Sequence, residues 1–343
     1  MIKDTIAKLS NLESIEFAEA EQAMTEIMNG EATPAQIGAF LVALRIKGES
    51  IEEISGCAHV MREKAERVDL GNIEALDIVG TGGDGANTFN ISTCSAFIVS
   101  AAGVPVAKHG NRSVSSKCGS ADVLEALETN INLSPQAAAA CLQQTGLCFM
   151  FAPGYHKSMK YAAGPRKELG LRTIFNILGP LANPARVPNQ LLGVCDEHLI
   201  EPLTKALANL GVRNIMTVYS HDGLDEISLS APTTVYESRQ GIMKSYILDP
   251  ESLGLELCSL SEVRGGEAGE NAEIIKGILS GNLEGPKKDI VLLNSAAAFY
   301  LTGKTKTIQD GLQLAAQTID EGMAWAQLKA YREVSNRFKE SPV

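Results

Sequence analysis

The chain runs to 343 residues, 45% of them hydrophobic and 5% aromatic, and carries a formal net charge of −11. That length holds one large domain plus a smaller one, and the acidic balance excludes nucleic acid or an anionic membrane surface as the principal partner. Seven cysteines without CxxC spacing exclude a disulfide framework or a zinc site, and neither a signal core nor an apolar run of membrane-spanning length occurs, so a reduced, cytoplasmic setting is expected.

Residues 1 to about 70 read as helices alone. A helical pattern through Ile15–Met28 stops at Gly30, and Thr33-Pro34 offers an N-cap followed by proline at the first helical position, with Gly48 ending that helix. Ser50-Ile51-Glu52-Glu53 is a capping box that opens the next one. From Ala75 strands alternate with helices: a strand at Leu76–Val79, a helix at Ser92–Ala102, a strand at Val104–Lys108, a helix capped by Ser134-Pro135 and a strand at Leu147–Phe151. Tyr161–Ala185, dense in proline and glycine, reads as an irregular connection. A strand at Leu191–Val194, a helix at Glu197–Leu210 and a strand at Asn214–Ser220 follow. Thr233–Leu248 alternates like a hairpin, and Ile290–Tyr300 and Ile308–Phe338 are helical, the latter interrupted near Gly322. This order predicts an α/β protein: a small helical domain over 1–70, then a larger α/β domain over 71–343 with a mainly parallel sheet. Its chemistry is expected at the carboxyl ends of the strands.

The stretch from Gly80 to Asp122 carries the strongest functional signal. Gly80-Thr81-Gly82-Gly83-Asp84-Gly85 brings backbone N–H groups close to a ligand without Cβ interference. Hydroxyls follow in Asn90-Ile91-Ser92-Thr93, and cations in Lys108-His109-Gly110-Asn111-Arg112 and at Lys117, with no acid between Asp84 and Asp122. A phosphate-rich ligand suits that chemistry. The same glycines match a GxGxxG dinucleotide fingerprint, but the next helix is delayed to about Ile91 and the next strand ends in Lys108-His109, where NAD requires an acid. A ligand-free turn and a solvated basic face are the plain alternatives. Gly303-Lys304-Thr305 resembles the end of a P-loop but lacks the upstream glycine, and reads as a helix terminator. Asp225 and Glu226, adjacent in a loop after Asn214–Ser220, can bridge hydrated Mg²⁺ ions held also by substrate phosphates, or cap a solvated turn. Arg166, Lys167 and Arg172 are candidates for receiving a carboxylate.

Together these segments resemble the anthranilate phosphoribosyltransferase family: GTGGD at 80–84, NIST at 90–93, KHGNR at 108–112, SSKCGSAD at 115–122, GPRKELGLRTIFNILGPLANP at 164–184 and DGLDEIS at 222–228. Cys118 departs from the serine that family more often has there. The resemblance implies a nucleoside phosphorylase-like fold whose helical domain is joined by part of 164–190. It implies a homodimer, and transfer of phosphoribosyl from phosphoribosyl pyrophosphate to anthranilate with Mg²⁺, two ions per subunit. The donor would be held by Gly80, Gly83, Asp84, Thr88, Asn90, Ile91, Ser92, Thr93, Lys108, His109, Gly110, Asn111, Arg112, Ser113, Val114, Ser115, Ser116 and Ser120. Anthranilate would lie against Gly80, Asn111 and Arg166, and the metal against Ser92, Asp225 and Glu226. An aromatic amine is neutral at pH 7, so no general base is implied. The competing expectations are a paralogue with another acceptor, a pyrimidine nucleoside phosphorylase, or a non-catalytic protein that binds a phosphorylated ligand.

Overall fold

The opening helices are α1 (Ile2–Ser10), α2 (Phe17–Met28), α3 (Pro34–Lys47) and α4 (Ile51–Lys64) in a computed structural model that describes residues 1–113 and 117–339. The capping signals act as the sequence predicts. The Thr33 hydroxyl accepts from Gln36 N, Ser50 Oγ accepts from Glu53 N, and Gly48 ends α3 at φ +86°. The apolar faces of these helices, among them Met24, Ile27, Phe40, Leu44 and Ile54, close over one core.

The larger domain begins with β1 (Leu76–Gly80), α5 (Ile91–Ala101), β2 (Val106–Gly110), α6 (Ser120–Ala126), α7 (Pro135–Thr145), β3 (Leu147–Phe151) and the single turn α8 (Ala152–Tyr155). After α9 (Lys160–Leu169) and α10 (Phe175–Leu181) come β4 (Asn189–Gly193), α11 (Ile200–Asn209), β5 (Asn214–Ser220), β6 (Thr233–Arg239) and β7 (Ile242–Leu248). The remainder is α12 (Ala268–Leu279), α13 (Pro286–Leu301), α14 (Ile308–Asp320) and α15 (Met323–Asn336). The seven strands form one sheet in the order β3-β2-β1-β4-β5-β6-β7, with β1 to β5 parallel and β6 and β7 antiparallel. The strand order therefore reverses beside β1. That switch point is where an open α/β sheet leaves a crevice at its carboxyl edge.

Alternation along the strands gives the sheet two dry faces. Ile78, Leu191 and Met216 face a core built with Phe97, Leu142, Phe299 and Tyr331. Leu192, Val194 and Ile215 belong instead to the core of the helical domain, completed by Leu203 and Leu207 of α11. Among the described residues no helix is long and apolar enough to cross a membrane.

The connection at 161–185 is helical, not irregular. Pro165 lies inside α9 and Pro180 inside α10, yet both helices form because they are short and bury Ala162, Phe175, Ile177, Leu178 and Leu181 in the helical-domain core. Tertiary burial there outweighs the local breakers. Side chains cap the carbonyls at the end of α10: Gln190 Nε2 donates to Pro180 O at 2.7 Å, Arg62 Nε to Leu181 O at 2.6 Å, and His109 Nδ1 to Gly179 O at 3.2 Å. The short helix α6 and the glycine-containing α12 are two helices not predicted from the sequence. Gly303 follows α13 at φ +75°, a helix terminator as expected.

Candidate active site

The floor of the crevice is made by two glycines. Gly80 and Gly193 are register partners at the ends of β1 and β4, and the loop after β5 drops onto them. A Cβ on Gly80 would stand 2.3 Å from Asp225 Oδ2, and one on Gly193 1.7 Å from Asp225 O. Only glycine at both places lets the carboxylate of Asp225 reach the strand ends, where it accepts from Gly82 N at 2.6 Å. Glu226 points to the start of α5 and accepts from Ser92 N at 3.2 Å. A helix N-terminus suits a carboxylate. Gly82, Gly83 and Gly85 take φ of +70°, +81° and +72°, which other residues adopt only with strain.

Burial pushes both carboxyls up, Asp225 to about 7 and Glu226 to about 8, with Asp84 raising Asp225 further and Asp225 raising Glu226. Lys108 is the neighbouring cation. It is 3% exposed, and its ammonium donates to Ile78 O and, at 3.2 Å, to Ser92 Oγ. Desolvation pulls its pKa down while Asp77, Glu226 and Asp225 pull it up. The next residue, His109, has its Nδ1–H on the Gly179 carbonyl and is held neutral by burial, well below the ordinary imidazole range. Its ring lies 5.1 Å from that of His156, which burial lowers to about 4. Nε2 of each imidazole is buried with no hydrogen-bond partner among the described residues.

The structure thus brings together Gly80, Asp84, Ser92, Lys108, Asp225 and Glu226. Gly83 stands at the mouth, where a Cβ would lie 3.5 Å from the Arg172 guanidinium. Other predicted residues hold the surroundings. Thr88 bridges Arg264, Asn90 Nδ2 donates to Cys118 O at 3.1 Å, Ile91 is in the core, and the Thr93 hydroxyl is buried without a partner among the described residues. Gly110 leaves room for Ser120, whose hydroxyl donates to Asn111 O at 3.2 Å. Ser113 N donates to Asp122 Oδ2 at 3.1 Å. Arg112 is not free in the crevice: it pairs with Asp122 at 2.8 Å and Glu125 at 2.6 Å, the acids just beyond the acid-free stretch. Val114, Ser115 and Ser116 lie outside the described residues.

Arg166, on α9, is half-buried with its guanidinium 5.0 Å from the Phe175 ring centroid, and no carboxylate among the described residues pairs with it. Desolvation alone lowers its pKa. Arg172 reaches Cys195 Sγ at 3.2 Å, and that thiol lies 3.4 Å from Gly82 O. The 164–184 segment therefore meets the glycine loop. Sequence reading missed Cys195, His156 and Asp77, which stand alone in unremarkable strings, and gave no role to Asn183 although it quoted the 164–184 segment that contains it; the fold brings all four here.

Among the described residues no three His, Cys, Asp or Glu side chains close a metal cage. Oxygen-only donors whose acids repel one another fit Mg²⁺, which binds through one or two carboxylates and takes its other ligands from water and substrate phosphates.

Residues 3–65 match the glycosyl transferase family helical bundle domain and 72–325 the a/b domain of the same family. Over 99% of this chain and 99% of its own length, the anthranilate phosphoribosyltransferase of Ruminiclostridium cellulolyticum is 56% identical. The chain belongs to the anthranilate phosphoribosyltransferase family. The crystal structure of that enzyme from Thermus thermophilus superposes with a TM-score of 0.92 at 39% identity, covering 97% of this chain and 99% of that one. The Saccharomyces cerevisiae enzyme in complex with phosphoribosyl pyrophosphate and Mg also gives 0.92, at 29% identity and 98% coverage of both chains. Family membership makes the chain a pentosyltransferase of tryptophan biosynthesis.

Proposed function

We propose that the crevice transfers the 5-phosphoribosyl group of phosphoribosyl pyrophosphate to the amine of anthranilate. The new bond joins the amine nitrogen to the anomeric carbon, the bond from that carbon to the pyrophosphate oxygen breaks, and a proton leaves the amine. The observation that carries this reading is the convergence of Asp84, Asp225, Glu226, Ser92 and Lys108 beside the glycine loop at the topological switch point. The related yeast enzyme in complex with phosphoribosyl pyrophosphate and Mg supports it.

In this reading Gly80, Gly83, Asp84, Thr88, Asn90 to Thr93, Lys108 to Ser116 and Ser120 bind and orient the donor. Lys108 already points at Ser92 and neutralises phosphate charge. Ser92, Asp225 and Glu226 hold two Mg²⁺ ions, which when bound stabilise the charge that develops on departing pyrophosphate. Gly80, Asn111 and Arg166 surround anthranilate, with Arg166 on its carboxylate. The amine attacks in its neutral form, so no general base is assigned. Part of 164–190, α9 and α10, belongs with the helical domain whose core it completes. The homodimer of this reading forms through the helical domain, and seven free thiols support a cytoplasmic setting.

The test is anthranilate fluorescence after mixing with phosphoribosyl pyrophosphate, with and without Mg²⁺. A Mg²⁺-dependent loss of signal matched one-for-one by pyrophosphate release is expected. Pyrophosphate release without consumption of anthranilate would overturn the acceptor.

A further inference from the structure

Beyond Leu76 and Val106 the ladder between β1 and β2 opens. Those two residues form its register pair, whereas β1 keeps pairing with β4 through Gly80 and Gly193. Side chains fill the gap. Asp77 Oδ1 accepts from His109 N at 3.2 Å, replacing a ladder bond. Its other oxygen accepts from Asn183 Nδ2 at 2.8 Å, and the same amide nitrogen donates to Ala107 O at 3.0 Å. Asn183 Oδ1 in turn accepts from Ala185 N at 2.8 Å. Both side chains are completely buried, and Lys108 spans the opening to Ile78 O.

A buried carboxylate carries a large desolvation cost unless it is paired and hydrogen-bonded. Here its partners are the backbone of a residue flanking Lys108 and a side chain that follows directly on α10 and itself holds the residue on the other flank. We propose that Asp77 and Asn183 form a positioning pair: they wedge β2 away from β1 and so set where the Lys108 ammonium stands against Ser92 and the bound donor. The pair also fastens β2 to the α10 segment that receives His109, tying the donor side of the crevice to the acceptor side. This inference rests on the reading of Lys108 as a donor-site cation.

Asp77→Asn turns an amide donor onto either the Asn183 amide or the His109 N–H, Asn183→Asp sets two carboxyls face to face and removes the donor to Ala107 O, and the double variant restores one donor and one acceptor between the two side chains but not the bond to Ala107 O. Each single change should lower kcat/KM for phosphoribosyl pyrophosphate roughly 10- to 100-fold, the usual cost of losing an orienting partner. The anthranilate KM should move less than about threefold, because Arg166 is anchored on α9. The double variant should recover at least about tenfold over the worse single one, the signature of direct coupling. Thermal melts establish that each protein is folded, and Asn183→Ala, which removes the strut without a clash, serves where a single variant does not fold. Folded single variants with unchanged donor kinetics would overturn the positioning role, as would a double variant whose losses multiply. Lys108→Ala separates the two levels: unchanged donor affinity there sinks the donor-site reading itself. Lost affinity there, with Asp77→Asn intact in function, sinks this inference alone.

Discussion

Two buried acidic centres in this molecule are built to opposite ends. In the helical domain Glu53 is completely buried and fully satisfied: it accepts from Ile15 N at 3.0 Å and Ser50 N at 2.7 Å, and pairs with Lys47 at 2.9 Å. In the crevice Asp225 accepts from Gly82 N and Glu226 from Ser92 N, and burial pushes both up in pKa, with Asp84 raising Asp225 and Asp225 raising Glu226. A fold that needs only stability satisfies its buried charge. One that awaits a cation and a polyanion leaves the charge unbalanced until they arrive.

The comparison breaks most visibly in the crevice. Asp225→Asn with Glu226→Gln should cut turnover on the order of 10²- to 10³-fold, as losing a transition-state electrostatic contact does, and should flatten the Mg²⁺ titration. The free variant should nevertheless melt higher at pH 8. Both folded-state pKa values are raised, so stability is greatest at low pH and declines as pH rises through about 7 and about 8; amides remove that decline. A lower melting point with the Mg²⁺ response intact would refute the contrast. Glu53→Ala should do the reverse. Losing one partner of a buried ion pair costs about 3–5 kcal/mol, measured by urea unfolding, with both substrate KM values unchanged.

How far this could be read from the string depends on whether a signal is local. Thr33-Pro34, Ser50–Glu53 and Gly48 act through neighbours in sequence, so the helices they bound stand where expected. The glycine loop, Lys108 and the Asp225-Glu226 pair declare their chemistry by composition, and the switch point brings them together. Helices α9 and α10 were illegible because their prolines act locally while their burial is tertiary. Asp77 and Asn183 lie 106 residues apart, and no spacing rule links them. Arg112 looked free in an acid-free stretch, yet α6 folds back to present Asp122 and Glu125 to it.

A gentler break lies in the two imidazoles. His156 is depressed to about 4 and His109 lies well below its ordinary value, so the unfolded chain binds more protons between pH 6.5 and 4. Stability contributed by keeping them neutral is full above about 6.5 and is lost as pH falls toward 4. For His156 alone that amounts to roughly 3 kcal/mol. His156→Gln retains an amide donor for the Ala182 carbonyl and should flatten the acid limb of the melting profile. An identical limb in that variant would show that the histidines are not what the acid reaches.

Arg166 sharpens the comparison from the cationic side. Lys47 and Arg112 are matched to acids, whereas the Arg166 guanidinium is half-buried on the face of Phe175 with no acid among the described residues to balance it. A cation desolvated without a counterion is poised for one that comes from outside, and a planar fork can receive a carboxylate bidentately. Losing a charge-assisted hydrogen bond costs about 1.5–3 kcal/mol, so Arg166→Ala should raise the anthranilate KM roughly 10- to 100-fold and leave the donor KM alone. Arg166→Lys should recover little of it, because an ammonium keeps the charge and loses the fork. If lysine restored anthranilate binding in full, charge alone would be the requirement. The ring of Phe175 would then matter only as a place to park a cation.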